Sequence, residues 1–269
     1  MYQGYKVKVL IFAGRKETME ILMPQIKSDY IDEIIIGVNT NNQSDLDYIY
    51  SLKDNFKKIV YEEVPEGIKR CSQESFRHFY TKMEDEDTIY FKLDDDLIYI
   101  EPGYFEKTLE FRVNHPEYIC VYPMIINNPL CNYLLSKKGV PFKYNSDPYT
   151  LMFMSWKDPE VAEKLLKTFS EFKEEQIWKI ENFEFGKEMN IKGRYGLIRP
   201  SINAICFFGK DFRLLNVKNY KSDDEEFLTN EVFGCGRKSI IQGNTLVAHY
   251  AFFTQRNYLN SKNILELYK

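Results

Sequence analysis

The stretch Thr88-Ile-Tyr-Phe-Lys-Leu-Asp-Asp-Asp-Leu-Ile-Tyr-Ile-Glu-Pro-Gly103 decides how this chain is read. Ile89, Phe91 and Leu93 alternate with Tyr90 and Lys92, the two-residue period of an extended strand. Three aspartates, Asp94, Asp95 and Asp96, follow at once, and a second apolar run, Leu97 to Ile100, comes directly after them. A solvated acidic turn seldom separates two buried segments, so the acids belong at the end of a core strand. Continued extension would place Asp94 and Asp96 on one side. Carboxylates that close repel and raise each other's pKa unless a cation lies between them. A hard divalent ion with oxygen ligands, Mg²⁺ or Mn²⁺, suits the position and leaves coordination sites for substrate phosphates.

Working outward, the same strand-then-helix pattern repeats. Val7 to Ala13 is a β-rich run ending at Gly14, followed by helical spacing through Met19, Leu22, Met23 and Ile26. Glu33 to Val38 is a second strand, ending in Asn39-Thr40-Asn41-Asn42, with a helix from Ser44 to Leu52 and a third strand at Lys58 to Val64. Ser72 caps a helix to Lys82, and the quoted strand comes next. Strands alternating with helices predict an α/β fold with a mostly parallel central sheet flanked by helices. Ligands of such sheets bind beyond the carboxyl ends of the strands, so Gly14-Arg15, Asn39 and Asp94 to Asp96 should line one edge.

Beyond Gly103 the spacing predicts a helix at Tyr104 to Val113 and a strand at Tyr118 to Ile126, and then a less regular half. Asn127 to Phe153 reads as a long loop, Asp158 to Ile180 as a helix, Asn203 to Phe208 as a strand, Asp223 to Val232 as an acid-led helix and Thr245 to Phe252 as a late strand. No repeat or linker divides the 269 residues, so one domain is expected, its functional halves meeting near residue 103.

A net charge of -4 with basic residues scattered among acids excludes a protein that coats nucleic acid, which needs a basic stripe. The five cysteines are odd in number and without a CxxC pair, so they signal neither a disulfide framework nor a zinc site. The apolar run near the N-terminus is a strand's length rather than a membrane span. A cytoplasmic location follows, with peripheral attachment to a membrane left open.

Tyr90 to Gly103 resembles the DxD region of GT-A glycosyltransferases. The resemblance implies the GT-A (Rossmann-like) fold, a nucleotide-sugar donor, most readily a UDP-sugar, a glycan or lipid-linked acceptor, and Mn²⁺ or Mg²⁺. It assigns Asp94 or Asp95 to the donor ribose and Asp96 to the metal, with the register of three consecutive acids open. By placement it also implies Ala13, Gly14, Arg15 and Asn39 in the donor pocket, residues 1–103 as the donor half and residues 104–269 as the acceptor half.

Asp223, Asp224, Glu225 and Glu226 gather at a helix start, where the dipole favours carboxylates. Their functional reading is that one of them, Asp224 first and Asp223 or Glu225 next, accepts the acceptor hydroxyl's proton as general base. His249, on an apolar late strand, is either a core histidine or a metal ligand beside Asp96 and Asp94. Lys69 and Arg70, or Gln255 and Arg256, are positioned to reach a diphosphate or to be solvated. Tyr149, Trp156 and Tyr195 are candidate sugar-stacking rings, whereas His78 and His115 read as structural. The competing readings are a sugar-phosphate nucleotidyltransferase, which should carry a richer glycine loop than Ala13-Gly14-Arg15-Lys16, and a non-catalytic carbohydrate-binding protein of the same fold.

Overall fold

In the computed structural model, which describes residues 1–140, 151, 152, 154–186, 201–215, 217, 220, 223–229 and 234–269, the alternating first half forms a parallel sheet. β1 (Lys6–Ala13) pairs in parallel with β2 (Glu33–Val38) on one side and β4 (Thr88–Asp94) on the other, and β3 (Ile59–Glu63) extends the sheet from β2. Helices α1 (Lys16–Leu22), α2 (Gln43–Asn55) and α3 (Gln73–Tyr80) follow the first three strands. Their starts are fixed by short-range chemistry. Asn42 accepts from the Asp45 N–H at 3.2 Å, and Ser72 and Ser75 exchange side-chain and backbone bonds at 3.1 and 3.2 Å.

The second half contributes β5 (Leu97–Ile100), α4 (Tyr104–Asn114), β6 (Val121–Ile126), α5 (Pro129–Lys138), α6 (Pro159–Phe172), β7 (Phe183–Phe185), β8 (Ala204–Phe208), α7 (Gly209–Leu214), α8 (Asp224–Thr229), β9 (Ser239–His249) and α9 (Arg256–Ser261). All strands join one sheet in the order β3-β2-β1-β4-β8-β6-β9-β5, with β7 also on β9. β8 runs antiparallel to β4 and β6, β6 is parallel to β9, and β5 and β7 are antiparallel to β9. Only Asp95 and Asp96 separate β4 from β5, a span of roughly 10 Å at most. The sheet must therefore curl until its far end, β9 and β5, lies beside the end of β4. Leu97 consequently pairs with His249.

Three expectations change. Residues 129–138, inside the segment read as a loop, form α5. Asn128 accepts from the Leu130 and Cys131 N–H groups, Pro129 fills the first turn, and Gly139 at φ 83° ends the helix. The helix expected through Ile180 stops at Phe172, where the carbonyl accepts the indole N–H of fully buried Trp178 at 2.9 Å. The late strand starts at Ser239 instead of Thr245 and stops at His249. At Gly243 a Cβ would lie 2.2 Å from the Ile180 carbonyl oxygen, so only glycine lets the two backbones approach. The acid-led helix is described over Asp224–Thr229, and residues 230–233 lie outside the described ones. No helix among the described residues is long and apolar enough to cross a membrane.

Candidate active site

The C-terminal ends of β1, β2, β4 and β9 meet the start of α8 around a cleft of about 480 Å³. Asp94, Asp95, Asp96, Asp224, Glu225 and His249 all reach its lining, with Gly14, Arg15, Asn39 and Arg256.

The three aspartates diverge. β4 ends at Asp94 and the next two residues turn, so the alternation that would put Asp94 and Asp96 on one side stops where the turn begins. Asp94 takes the ammonium of Lys92 on one oxygen and the Asn203 amide at 2.9 Å on the other. Asp95 is buried against the Gly14 N–H, at 2.7 Å, and the Arg15 guanidinium. A Cβ at Gly14 would press to 3.2 Å from the Asn39 carbonyl oxygen, a tight contact that glycine avoids. Asp96 faces the greatest concentration of positive charge, Arg256 at 2.6 Å and Arg15 at 3.3 Å, and its Oδ1 lies 3.4 Å from His249 Nε2. The other ring nitrogen of His249 lies 3.4 Å from the Asn127 carbonyl oxygen.

Burial works to raise both inner carboxyls. For Asp95 it succeeds, reinforced by Asp96 and Asp94 and opposed by Arg15, so that its pKa is pushed up. For Asp96 burial is outweighed by His249, Arg15 and Arg256, which hold the carboxyl well below its usual range.

Across the cleft Asp224 begins α8. Its Oδ2 accepts the hydroxyl of fully buried Tyr80 at 3.1 Å. Burial raises its pKa, with Asp94 and Asp223 adding to the rise and Lys92 and the Tyr80 bond opposing it. Asp223 lies outside the lining and caps the helix, its Oδ1 accepting from the Glu226 N–H at 2.7 Å.

Other expected residues are placed differently. Ala13 is fully buried beneath the cleft and positions Asn39 by accepting its N–H at 2.8 Å. Arg70 is not in the lining; it binds the Thr40 carbonyl at 2.9 Å and Glu63 at 2.8 Å. Gln255 is fully buried, linking Asn127 to Ser155 at 3.0 and 2.7 Å, while its neighbour Arg256 reaches the cleft. His78 and His115 pair with Glu62 and Glu117, away from the cleft. Tyr149 and Tyr195 lie outside the described residues.

Lys92, Asn203 and Tyr80 escaped the sequence reading. Lys92 had a signal: it is the one charge inside an apolar strand, and a buried ammonium must be paired. It is 1% exposed and also donates to the Ile202 carbonyl at 2.9 Å. Asn203 and Tyr80 act through contacts between distant segments and had none.

No group of three or more His, Cys, Asp or Glu side chains among the described residues is gathered about one point as a ready-made ion cage. The Asp96 Oδ1 to His249 Nε2 separation of 3.4 Å nevertheless suits two neighbouring ligands of one ion. A Mg²⁺-type ion commonly takes one or two protein carboxylates and completes its shell with phosphate and water, so Asp96 fits that role with His249 as its neighbour. Asp94, whose carboxylate is engaged by Lys92 and Asn203, is not brought into that pair.

No protein-family model matches the sequence, and no curated protein compared with it matches significantly. Among solved structures, the chain is similar to the crystal structure of GalNAc-T7 with UDP, GalNAc and Mn²⁺, with TM-score 0.52 and 12% identity over 97% of this chain and 48% of that one. It thus spans about half the length of that protein. The 4-diphosphocytidyl-2C-methyl-D-erythritol synthase of Anaerococcus prevotii superposes with TM-score 0.47 and 13% identity, covering 98% of this chain and 97% of that one. The GalNAc-T7 likeness shows the fold: a mixed α/β, GT-A-like curled sheet flanked by helices.

Proposed function

We propose that this chain is a metal-assisted glycosyltransferase that moves a sugar from a nucleoside-diphosphate donor, UDP in the first instance, to a hydroxyl of a glycan or lipid-linked acceptor. The observation that carries the proposal is the meeting of Asp96 and His249, flanked by Arg15 and Arg256, with Asp224 in one cleft at the sheet's carboxyl edge. The GalNAc-T7 fold, solved with UDP and Mn²⁺, supports the donor class. Both halves serve one domain in this reading, residues 1–103 holding the donor and residues 104–269 the acceptor.

In this reading Asp96 and His249 hold Mn²⁺ or Mg²⁺, which when bound would neutralise charge on the departing diphosphate. Asp94, fixed by Lys92 and Asn203, or Asp95, fixed by Gly14 and Arg15, takes the ribose hydroxyls. Arg15 and Arg256 supply charge-assisted hydrogen bonds to the diphosphate. Asp224 accepts the proton of the attacking hydroxyl; its raised pKa brings it nearer the working pH than an exposed aspartate. Tyr80 holds one Asp224 oxygen and thereby directs the other.

UDP release from UDP-sugars, followed with and without Mn²⁺ and with a panel of glycan acceptors, tests the proposal. Metal-dependent release that is lost in Asp96→Asn supports it. Pyrophosphate release from a nucleoside triphosphate and a sugar phosphate would instead make the chain a nucleotidyltransferase, and glycan binding without turnover would make it a binding protein.

A further inference from the structure

Phe253 is 80% exposed, the most exposed large apolar side chain among the described residues, yet it lines the same cleft as Asp96 and His249. One exposed apolar ring is ordinary on a protein surface, but one that lines a polar cleft next to further apolar side chains is a candidate ligand surface. Trp156 stands beside it, the ring centroids 5.9 Å apart and the planes inclined at 44°. Lys157 sits 4.7 Å from the indole centroid, and exposed Met154 lies one residue beyond Ser155 on the same segment.

The two loops that present these rings are tied together. Thr254 Oγ1 donates to the Trp156 carbonyl at 2.6 Å, and the Gln255 amide donates to the Ser155 carbonyl at 2.7 Å. Phe252, next to Phe253, packs edge-on against His249 with centroids 4.7 Å apart. The aromatic pair is therefore held in fixed relation to the reacting centre, so little ordering cost remains for a bound ligand.

We infer that Phe253 and Trp156 form the acceptor platform of the proposed transferase, and that the acceptor offers it the C–H face of a pyranose ring. The inference rests on the glycosyltransferase reading, which makes the cleft's second ligand a hydroxyl compound. A pyranose has one face of C–H bonds that covers an aromatic ring, while its rim of hydroxyls suits the cleft's carboxylates and the cation of Lys157. A membrane-inserting patch would point away from the cleft; Phe253 lines it.

The chain has two tryptophans, and Trp178 is fully buried against Phe169, so a change in indole emission reports Trp156. The test titrates the whole protein with methyl glucoside, methyl galactoside, cellobiose and chitobiose. Phosphatidylcholine–phosphatidylglycerol vesicles are titrated in parallel, and UDP-sugar binding by the wild type is read separately by calorimetry. A saturable emission change with at least one pyranoside is expected, weakened about tenfold in Phe253→Ser and restored in Phe253→Tyr. Silence with every pyranoside, a response to vesicles alone, or an unchanged Phe253→Ser titration overturns the platform. Retained UDP-sugar binding would then show that the platform alone had failed, whereas its loss would also count against the transferase.

Discussion

Asp94, Asp95 and Asp96 each face a cation, whereas Asp224, in the same cleft, accepts its hydrogen bond from the neutral hydroxyl of Tyr80. The first cluster is compensated charge only in part: Asp96 is held ionised by His249, Arg15 and Arg256, while burial pushes Asp95 up despite Arg15. The second is a carboxylate whose burial favours the protonated form. One arrangement suits holding an ion and a diphosphate, the other suits exchanging a proton. Neighbours, rather than residue type, set how each aspartate holds its proton.

Breaking the second cluster should cost the most turnover. Asp224→Asn is expected to lower kcat by about 10²–10⁴ while leaving UDP-sugar affinity nearly unchanged, measured by steady-state kinetics beside calorimetry. Its stability should move the other way. Because the folded-state pKa lies above the ordinary 3.8, the native state binds this proton more tightly than the unfolded chain does. The stability contributed is complete below about pH 3.8 and is lost as pH rises through the raised value. At neutral pH, Asp224→Asn should therefore melt at or above the wild-type temperature, with the gain vanishing in acid.

Breaking the first cluster should remove the metal dependence. Asp96→Asn is expected to weaken Mn²⁺-dependent donor binding by about a hundredfold, measured by titration with and without the ion. Lys92→Met tests how the cluster is held. It leaves Asp94 with Asn203 but without its cation, and chemical denaturation should show a loss of about 3 kcal/mol, the low end for a broken buried pair because Asp94 is a quarter exposed. The smallest change sharpens the contrast. Tyr80→Phe removes a hydrogen bond that favours ionised Asp224, a net effect of about 1 kcal/mol, so the acid limb of the pH–kcat profile should move upward.

How far the site could be read from sequence follows the range of its contacts. β1, β2 and β4 announce themselves by alternation and apolar runs, and their ends bring Gly14, Arg15, Asn39 and Asp94 to one edge by the rule of parallel sheets. Divergence of the three carboxylates was not legible, because it depends on a turn that starts one residue after Asp94. Nor was the pairing of Leu97 with His249, which sets His249 against Asp96 and arises from curling of the whole sheet. The α5 helix did carry local signals in Asn128, Pro129 and Gly139, but they resemble those of a loop until the Leu130 to Leu135 run is seen to be enclosed. Tyr80 meets Asp224 through the packing of α8 on α3, which has no short-range signature.

The most direct test of the account is calorimetric titration of UDP-sugars into the wild-type protein and Asp96→Asn, each with and without Mn²⁺. Binding of at least one UDP-sugar by the wild type is expected to require Mn²⁺ and to weaken about a hundredfold in the variant. Equal binding with and without the ion, or full Mn²⁺-dependent binding by Asp96→Asn, would contradict the assignment of Asp96 and His249 as the metal-holding pair.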